Sequence, residues 1–157
     1  MKYQGRARII GREEEENVIE LCRSLHKENG LFLMNETKVR AMMARAFDKQ
    51  GGILAGVGLP GKLEGLLYIH LTSSWYSDDP QWEELFLYVV PQHRKSRNAV
   101  DLLRFAKWCA DETGYPLFIG VISNQTTERK ELLYKRQLHV EEAKGKIFMY
   151  TRDTKAA

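Results

Sequence analysis

The stretch WEELFLYVVPQHRKSRNAVDLL, residues 82 to 103, constrains the fold more than any other part of the chain. Its first nine residues put branched and aromatic groups on both faces, which predicts a strand inside a sheet rather than at its rim. Pro91 stops that strand. From Ala99 onward Leu102, Leu103, Ala106, Cys109 and Ala110 follow helical spacing as far as Gly114, with Pro116 just beyond, while Asp101, Arg104, Lys107 and Asp111 are expected to point elsewhere. The apolar run LFIGVI, residues 117 to 122, follows after a very short connection and predicts a parallel neighbour reached by a right-handed crossover.

The other elements arrange themselves around this βαβ unit. Tyr3 to Ile10 reads as an edge strand, and Glu13 to Glu16 sit where the first turn of a helix favours carboxylates. Val18, Leu21, Cys22 and Leu25 give that helix a buried stripe, and Gly30 stops it. Asn35 is placed to cap a second helix carrying Val39, Met42, Met43, Ala46 and Phe47. GILAGVGLPGKLEGLLYIHL predicts an antiparallel hairpin turning at Pro60 and Gly61, with a long second arm. A last helix capped at Asn124 or Thr126 runs through Leu132, Leu133 and Arg136, and VEEAKGKIFMYT predicts a closing hairpin turning at Lys144 to Lys146. The expected fold is α/β: one domain over residues 1–157, three layers αβα, with about seven strands in a mixed sheet and four helices.

Composition narrows the function classes. A formal net charge of +3 over 157 residues argues against a polybasic surface that coats nucleic acid. Cys22 and Cys109 are the only cysteines, each within a helical pattern, so neither a disulfide framework nor a CxxC metal site is expected. No apolar run reaches the ~20 residues of a membrane span and the N-terminus lacks a signal-peptide core, so a cytoplasmic protein is the expectation.

Chemistry concentrates at the strand-to-helix junction. The start of a helix presents unpaired N–H groups and positive partial charge, the requirements of a phosphate or carboxylate site. Arg94, Lys95 and Arg97 lie there, and they are either a solvated basic turn or partners for phosphate oxygens.

At this junction the chain resembles the general N-acetyltransferase superfamily, GNAT. The family pattern is a strand ending V-x-P, then R-x-x-G-x-G/A, then a helix with a leucine pair; here Pro91, Arg94, Ala99 and Leu102-Leu103 stand at the expected spacing. NQTTERKELLYKRQLHV resembles a second family stretch, N-x-x-A-x-x-L-Y-x-K-x-G-F, through Asn124, Leu133, Tyr134 and Arg136. The element order matches as well, so the resemblance covers essentially the whole chain. It implies acetyl-CoA as cosubstrate, without metal. Its pyrophosphate would be held by the backbone of Lys95, Ser96, Arg97, Asn98, Ala99 and Val100 with Arg94 and Asn124, and its pantetheine arm would pair with Tyr88, Val89 and Val90. Lys95 and Arg97 depart from glycines common in the family, and Leu138-His139 replaces its Gly-Phe pair.

Acetyl transfer to an amine requires a base, a polarised carbonyl and a proton for the departing thiolate. The resemblance assigns the proton to Tyr134, whose ring would otherwise serve as packing, and a bulge or splay of the strand near Tyr88 to Val90 would expose a main-chain donor. Glu83 and Glu84 are the candidate bases, on opposite faces of their strand so that one alone can face the cleft. His70 and a water chain remain open. The acceptor amine is expected between residues 30–36 and the loop of Trp75, Tyr76, Asp78 and Asp79, a segment equally suited to an ordinary turn. A GNAT-like module without catalytic activity, binding acyl-CoA or a protein, is the competing reading, and a homodimer is compatible with either.

Overall fold

A computed structural model describes residues 3–121 and 127–150. The elements are β1 (Arg8–Ile9), α1 (Glu15–Asn29), α2 (Glu36–Phe47), β2 (Gly52–Leu59), β3 (Lys62–Ser73), β4 (Pro80–Val89), α3 (Asn98–Thr113), β5 (Leu117–Phe118) and α4 (Thr127–Leu138), with 3-10 turns at Arg12–Glu14 and Pro91–His93. The five strands stand in chain order across one sheet, antiparallel except for the parallel β4–β5 pair. The β2–β3 hairpin turns where the sequence places Pro60 and Gly61, and Gly61 takes the positive φ of 75° that the turn demands.

Strand alternation sorts the core into two layers. On one face Ile10, Val18, Ile19, Leu21, Met43, Leu54, Leu66, Tyr68 and Tyr88 pack with α1 and α2. On the other, Leu67, Ile69, Trp82, Leu87, Val89, Leu102, Leu103, Phe105 and Tyr134 pack with α3 and α4. Leu66 and Leu67, adjacent on β3 and both fully buried, show a strand covered on both sides. Cys22 and Cys109 belong to these layers, and burial raises their thiols to about 11 and about 12 respectively, so they pack as small hydrophobes.

The helix ends follow their local chemistry. Asn35 Oδ1 accepts the Lys38 N–H at 3.0 Å and caps α2. Gly114 closes α3 in the left-handed conformation, φ 71°.

Five strands, rather than about seven, form among the described residues. Residues 140–150 adopt no strand, and Ile147, Phe148, Met149 and Tyr150 stand exposed. A closing hairpin needs an edge to add to, and β5 offers two residues. The first strand is shorter than its composition suggests because Tyr3 leaves the sheet to pack edge-on against Phe105 at 5.3 Å. Asp101 is a further correction: it lies buried at 3 % exposure and takes the Arg6 guanidinium at 2.7 Å. The acidic run is also not simply a dipole device. Glu15 and Glu16 pair with Arg40, and Glu14 is buried against Arg8.

Glu14 fastens the edge strand to the hairpin. Its oxygens accept from Arg8 Nη1 at 2.5 Å and Nη2 at 2.8 Å and from the Gly61 N–H at 3.3 Å, while Arg8 also donates to the Gly58 carbonyl. Arg8 draws the Glu14 carboxyl below the ordinary carboxylate range. Glu14→Ala is expected to cost about 2–3 kcal/mol in urea unfolding, since it strands the Arg8 charge in a partly covered site; a loss below ~0.5 kcal/mol would make this pair an ordinary surface contact.

Candidate active site

The site originates where β4 loses one of its two neighbours. Trp82 and Glu83 pair with Leu117 and Phe118, and the Trp82 N–H donates to the Pro116 carbonyl at 2.8 Å. Among the described residues the parallel ladder ends at Phe118, although β4 continues against β3 to Val89. A cleft therefore opens along the second half of β4. The Val90 N–H donates to the Glu64 carbonyl of β3 at 2.9 Å, so backbone alternation turns the N–H and carbonyl of Val89 toward the cleft.

A bulge decides which carboxylate faces it. Phe86 stands opposite Tyr68 and Glu84 opposite Ile69, which leaves Leu85 as the extra residue. Because of that insertion Glu84 joins Trp82, Leu87 and Val89 on the α3–α4 face. The bulge thus falls earlier than Tyr88 to Val90, where a bulge or splay is expected; that stretch is instead unpaired on the β5 side among the described residues. Glu84 Oε2 accepts the Gly120 N–H at 3.2 Å, across the parted strands. Burial raises its carboxyl to about 7, partly offset by the Gly120 bond and the Lys130 charge.

Tyr134 and Lys130 lie one turn apart on α4, on one helical face. Tyr134 is 7 % exposed, and burial, reinforced by the negative charge of Glu84, pushes its hydroxyl far above the ordinary phenol value. Its proton is therefore held firmly in the resting state. Lys130 is lowered by burial and by Arg94, against the pull of Glu28 and Glu84. The arrangement is a titratable carboxylate and a protonated phenol on one side of the sheet, near enough for the first to act on the second.

Comparisons with known proteins bear on the fold. No family model and no curated protein matches the sequence. Solved structures match closely in shape: an aminoglycoside acetyltransferase, meta-AAC0020, from an uncultured soil metagenomic sample, superposes with a TM-score of 0.68 at 15% identity, over 93% of this chain and 95% of that one. A ribosomal-protein-alanine N-acetyltransferase from Brucella melitensis gives 0.68 at 15% identity, over 93% and 97%. AAC(6')-Iy, bound to a bisubstrate analog CoA-S-monomethyl-acetylneamine, gives the same TM-score and identity, again over 93% and 97%. The chain has the GNAT fold.

In this chain the loop after β4 is tied by its own main chain. The His93 N–H donates to the Val90 carbonyl, the Ser96 N–H to the His93 carbonyl, and the Asn98 N–H to Ser96 Oγ at 3.1 Å. The first i to i−4 bond of α3 is Asp101 N–H to the Arg97 carbonyl, so the Ala99 and Val100 amides precede the helical ladder. Arg97 sits at φ −85° and no residue from 90 to 100 has positive φ, so the positions common to glycine in the family require none here. Lys95 and Arg97 are exposed to solvent.

Arg94 is placed differently from its neighbours. Its Nε donates to the Val89 carbonyl at 3.0 Å, its Nη2 pairs with Glu28 at 2.6 Å, and its guanidinium stands 5.6 Å from the Tyr88 ring. It knits α1, β4 and the loop together. Glu83 faces away from the cleft, paired across the ladder with His70, whose Nε2 is buried without a hydrogen-bond partner among the described residues. Trp75 and Tyr76 project at the β3–β4 turn, 95 % and 76 % exposed and edge-on at 5.4 Å, with Asp78 also exposed. That turn is about 30 Å along the strand from Val89 and about 13 Å from Glu84. Asn124 and Thr126 lie outside the described residues.

Lys130 and Glu28 escaped the sequence reading. The first could have been found as the i−4 neighbour of Tyr134; the second joins Arg94 across 66 residues, with no local signal. Among the described residues no cluster of His, Cys, Asp and Glu is set to hold a metal, and no helix is long and apolar enough to cross a membrane.

The raised Glu84 carboxyl has a signed consequence for stability. Its folded value exceeds the unfolded one, so the stability it contributes is full below about pH 4.5 and lost as pH rises through about 7. Glu84→Gln is expected to gain stability over the unaltered chain by on the order of 2 kcal/mol between pH 5 and pH 8, read by urea unfolding at both; a pH-independent difference would mean that Glu84 is solvated.

Proposed function

We propose that the chain is an N-acetyltransferase that moves an acetyl group from acetyl-CoA to a primary amine of a small molecule or protein. The observation that carries this reading is the placement of Glu84 where β4 and β5 part, close enough to Tyr134 of α4 for its charge to act on the phenol. A pair of groups whose environments separate their protonation states suits one to accept a proton and the other to give one. The CoA conjugate bound by a chain of the same fold supports it.

Acetyl-CoA supplies a thioester whose acyl carbon is attacked and whose sulfur leaves. The protein's contribution begins with binding. The amides of Arg97, Ala99 and Val100, at the positive end of α3, suit a diphosphate, with Lys95 and Arg97 as mobile cations and Ser96 and Asn98 holding the loop. Tyr88, Val89 and Val90 line the open edge, where an extended amide-bearing arm can add to the strand. The Val89 N–H, turned to the cleft, is a donor suited to a carbonyl of that arm.

Glu84, ionised above about pH 7, takes a proton from the acceptor's ammonium at its carboxylate, leaving a neutral amine as nucleophile. Tyr134 Oη gives its proton to the departing sulfur, and the phenolate regains one from the second N–H proton that the attacking nitrogen sheds as it becomes an amide. Water exclusion by α4 strengthens both roles. Trp75, Tyr76 and Asp78 would receive a cationic acceptor through ring faces and charge, and Asn124 retains the cofactor role implied by the resemblance.

CoA at saturating concentration is expected to raise the melting temperature by several degrees, because a ligand selective for the native state must stabilise it; no shift would remove the cosubstrate. Tyr134→Phe and Glu84→Gln should each lower kcat about a hundredfold with CoA affinity within about twofold, and the second should also abolish the rise in rate through pH 7. Arg97→Ala should weaken CoA binding about tenfold and Arg97→Gly less, as measured by calorimetry; equal affinity in both would exclude Arg97 from the phosphate site.

A further inference from the structure

Beneath the loop from 91 to 97, polar side chains from three distant parts of the chain meet around Asn98. Asn98 opens α3 and is 1 % exposed; Asp101, one turn later, is 3 % exposed. Arg6 Nε donates to Asp101 Oδ2 at 2.7 Å and its Nη2 to Asn98 Oδ1 at 3.3 Å. Asn98 Nδ2 in turn donates to Glu64 Oε2 at 2.7 Å, an oxygen that also faces His93 Nδ1 at 3.6 Å. The Asn98 amide is thus engaged at both ends.

Helix capping does not explain it. The Asn98 N–H already donates to Ser96 Oγ, and the side chain turns inward, where an apolar residue would serve the core as well. Glu64, by contrast, grips both ends of the loop. Its carbonyl accepts the Val90 N–H at the end of β4, and its carboxylate holds the first side chain of α3. Loop closure between two anchored ends fixes the direction of the amides that follow.

We infer that Asn98 and Glu64 are positioning residues for the anion site: they lock the start of α3 so that the Arg97, Ala99 and Val100 amides stay aimed at one ligand position. This rests on the acetyl-CoA reading above. Neither side chain needs to touch the ligand, so their effect falls on coenzyme affinity and not on proton transfer at Glu84 and Tyr134.

The test compares Asn98→Ala, Glu64→Ala and Glu64→Gln with the unaltered chain by calorimetry with CoA, steady-state kinetics and thermal melting. The two alanine variants should raise Kd for CoA and KM for acetyl-CoA about tenfold, as the loss of a charge-assisted hydrogen bond does, while kcat at saturation stays within about twofold. Glu64→Gln keeps an acceptor for Asn98 Nδ2 and should restore near-normal affinity. Should Asn98→Ala fail to fold, the Glu64 pair decides alone. Lower melting temperatures with unchanged CoA affinity would make the network merely structural and overturn the inference. An unaltered chain that ignores CoA overturns the acetyl-transfer reading itself, a result distinct from variants that bind as tightly as their parent.

Discussion

The ladder between β4 and β5 stops after two residue pairs, and the rest of the site depends on that stop. A buried strand normally satisfies its main chain on both sides. Here, among the described residues, the second half of β4 keeps β3 alone, so polar backbone is turned into a cleft floored by apolar side chains. The bulge at Leu85 completes the arrangement, because a carboxylate that strict alternation would send toward α1 and α2 is brought instead under α4. Without the parted strands Glu84 would have no cleft to face; without the inserted residue it would face the wrong layer.

Charge around this cleft is distributed by function. Arg94, which the sequence presents as one of three similar cations, is engaged by Glu28, by the Val89 carbonyl and by the Tyr88 ring, and so fixes the geometry between α1 and β4. Lys95 and Arg97 extend into solvent. One cation braces the scaffold while two remain available to a ligand. The buried Asn98 and Asp101 then brace the far side of the same loop through Arg6 and Glu64. A loop made of residues with side chains is held here by polar contacts on both flanks.

Much of this was legible in the sequence. Periodicity located α3 because Leu102, Leu103, Ala106 and Cys109 make one continuous buried stripe. The hairpin was legible from Pro60 and Gly61, and Glu84 and Tyr134 were candidates before their proximity was known. What escaped has a common cause. The bulge at Leu85 is set by how two strands fit, and nothing in LFLYVV reports it. Asp101 reads as a surface residue because its partner Arg6 lies 95 residues away. KIFMYT has strand composition, yet composition does not supply an edge to pair with. Short-range pattern identifies elements; long-range polar pairing, which places them, leaves little local trace.

An unpaired strand margin is also a hazard between molecules, since exposed N–H and carbonyl groups invite a second chain to add a strand of its own. The margin from Glu84 to Val89 is apolar and would template such growth if it were bare. It is not bare: the Arg94 guanidinium occupies the Val89 carbonyl at one end, and the Glu84 carboxylate holds the Gly120 amide at the other. These two side chains thus cover the ends of the margin, much as lysines blunt exposed edges elsewhere.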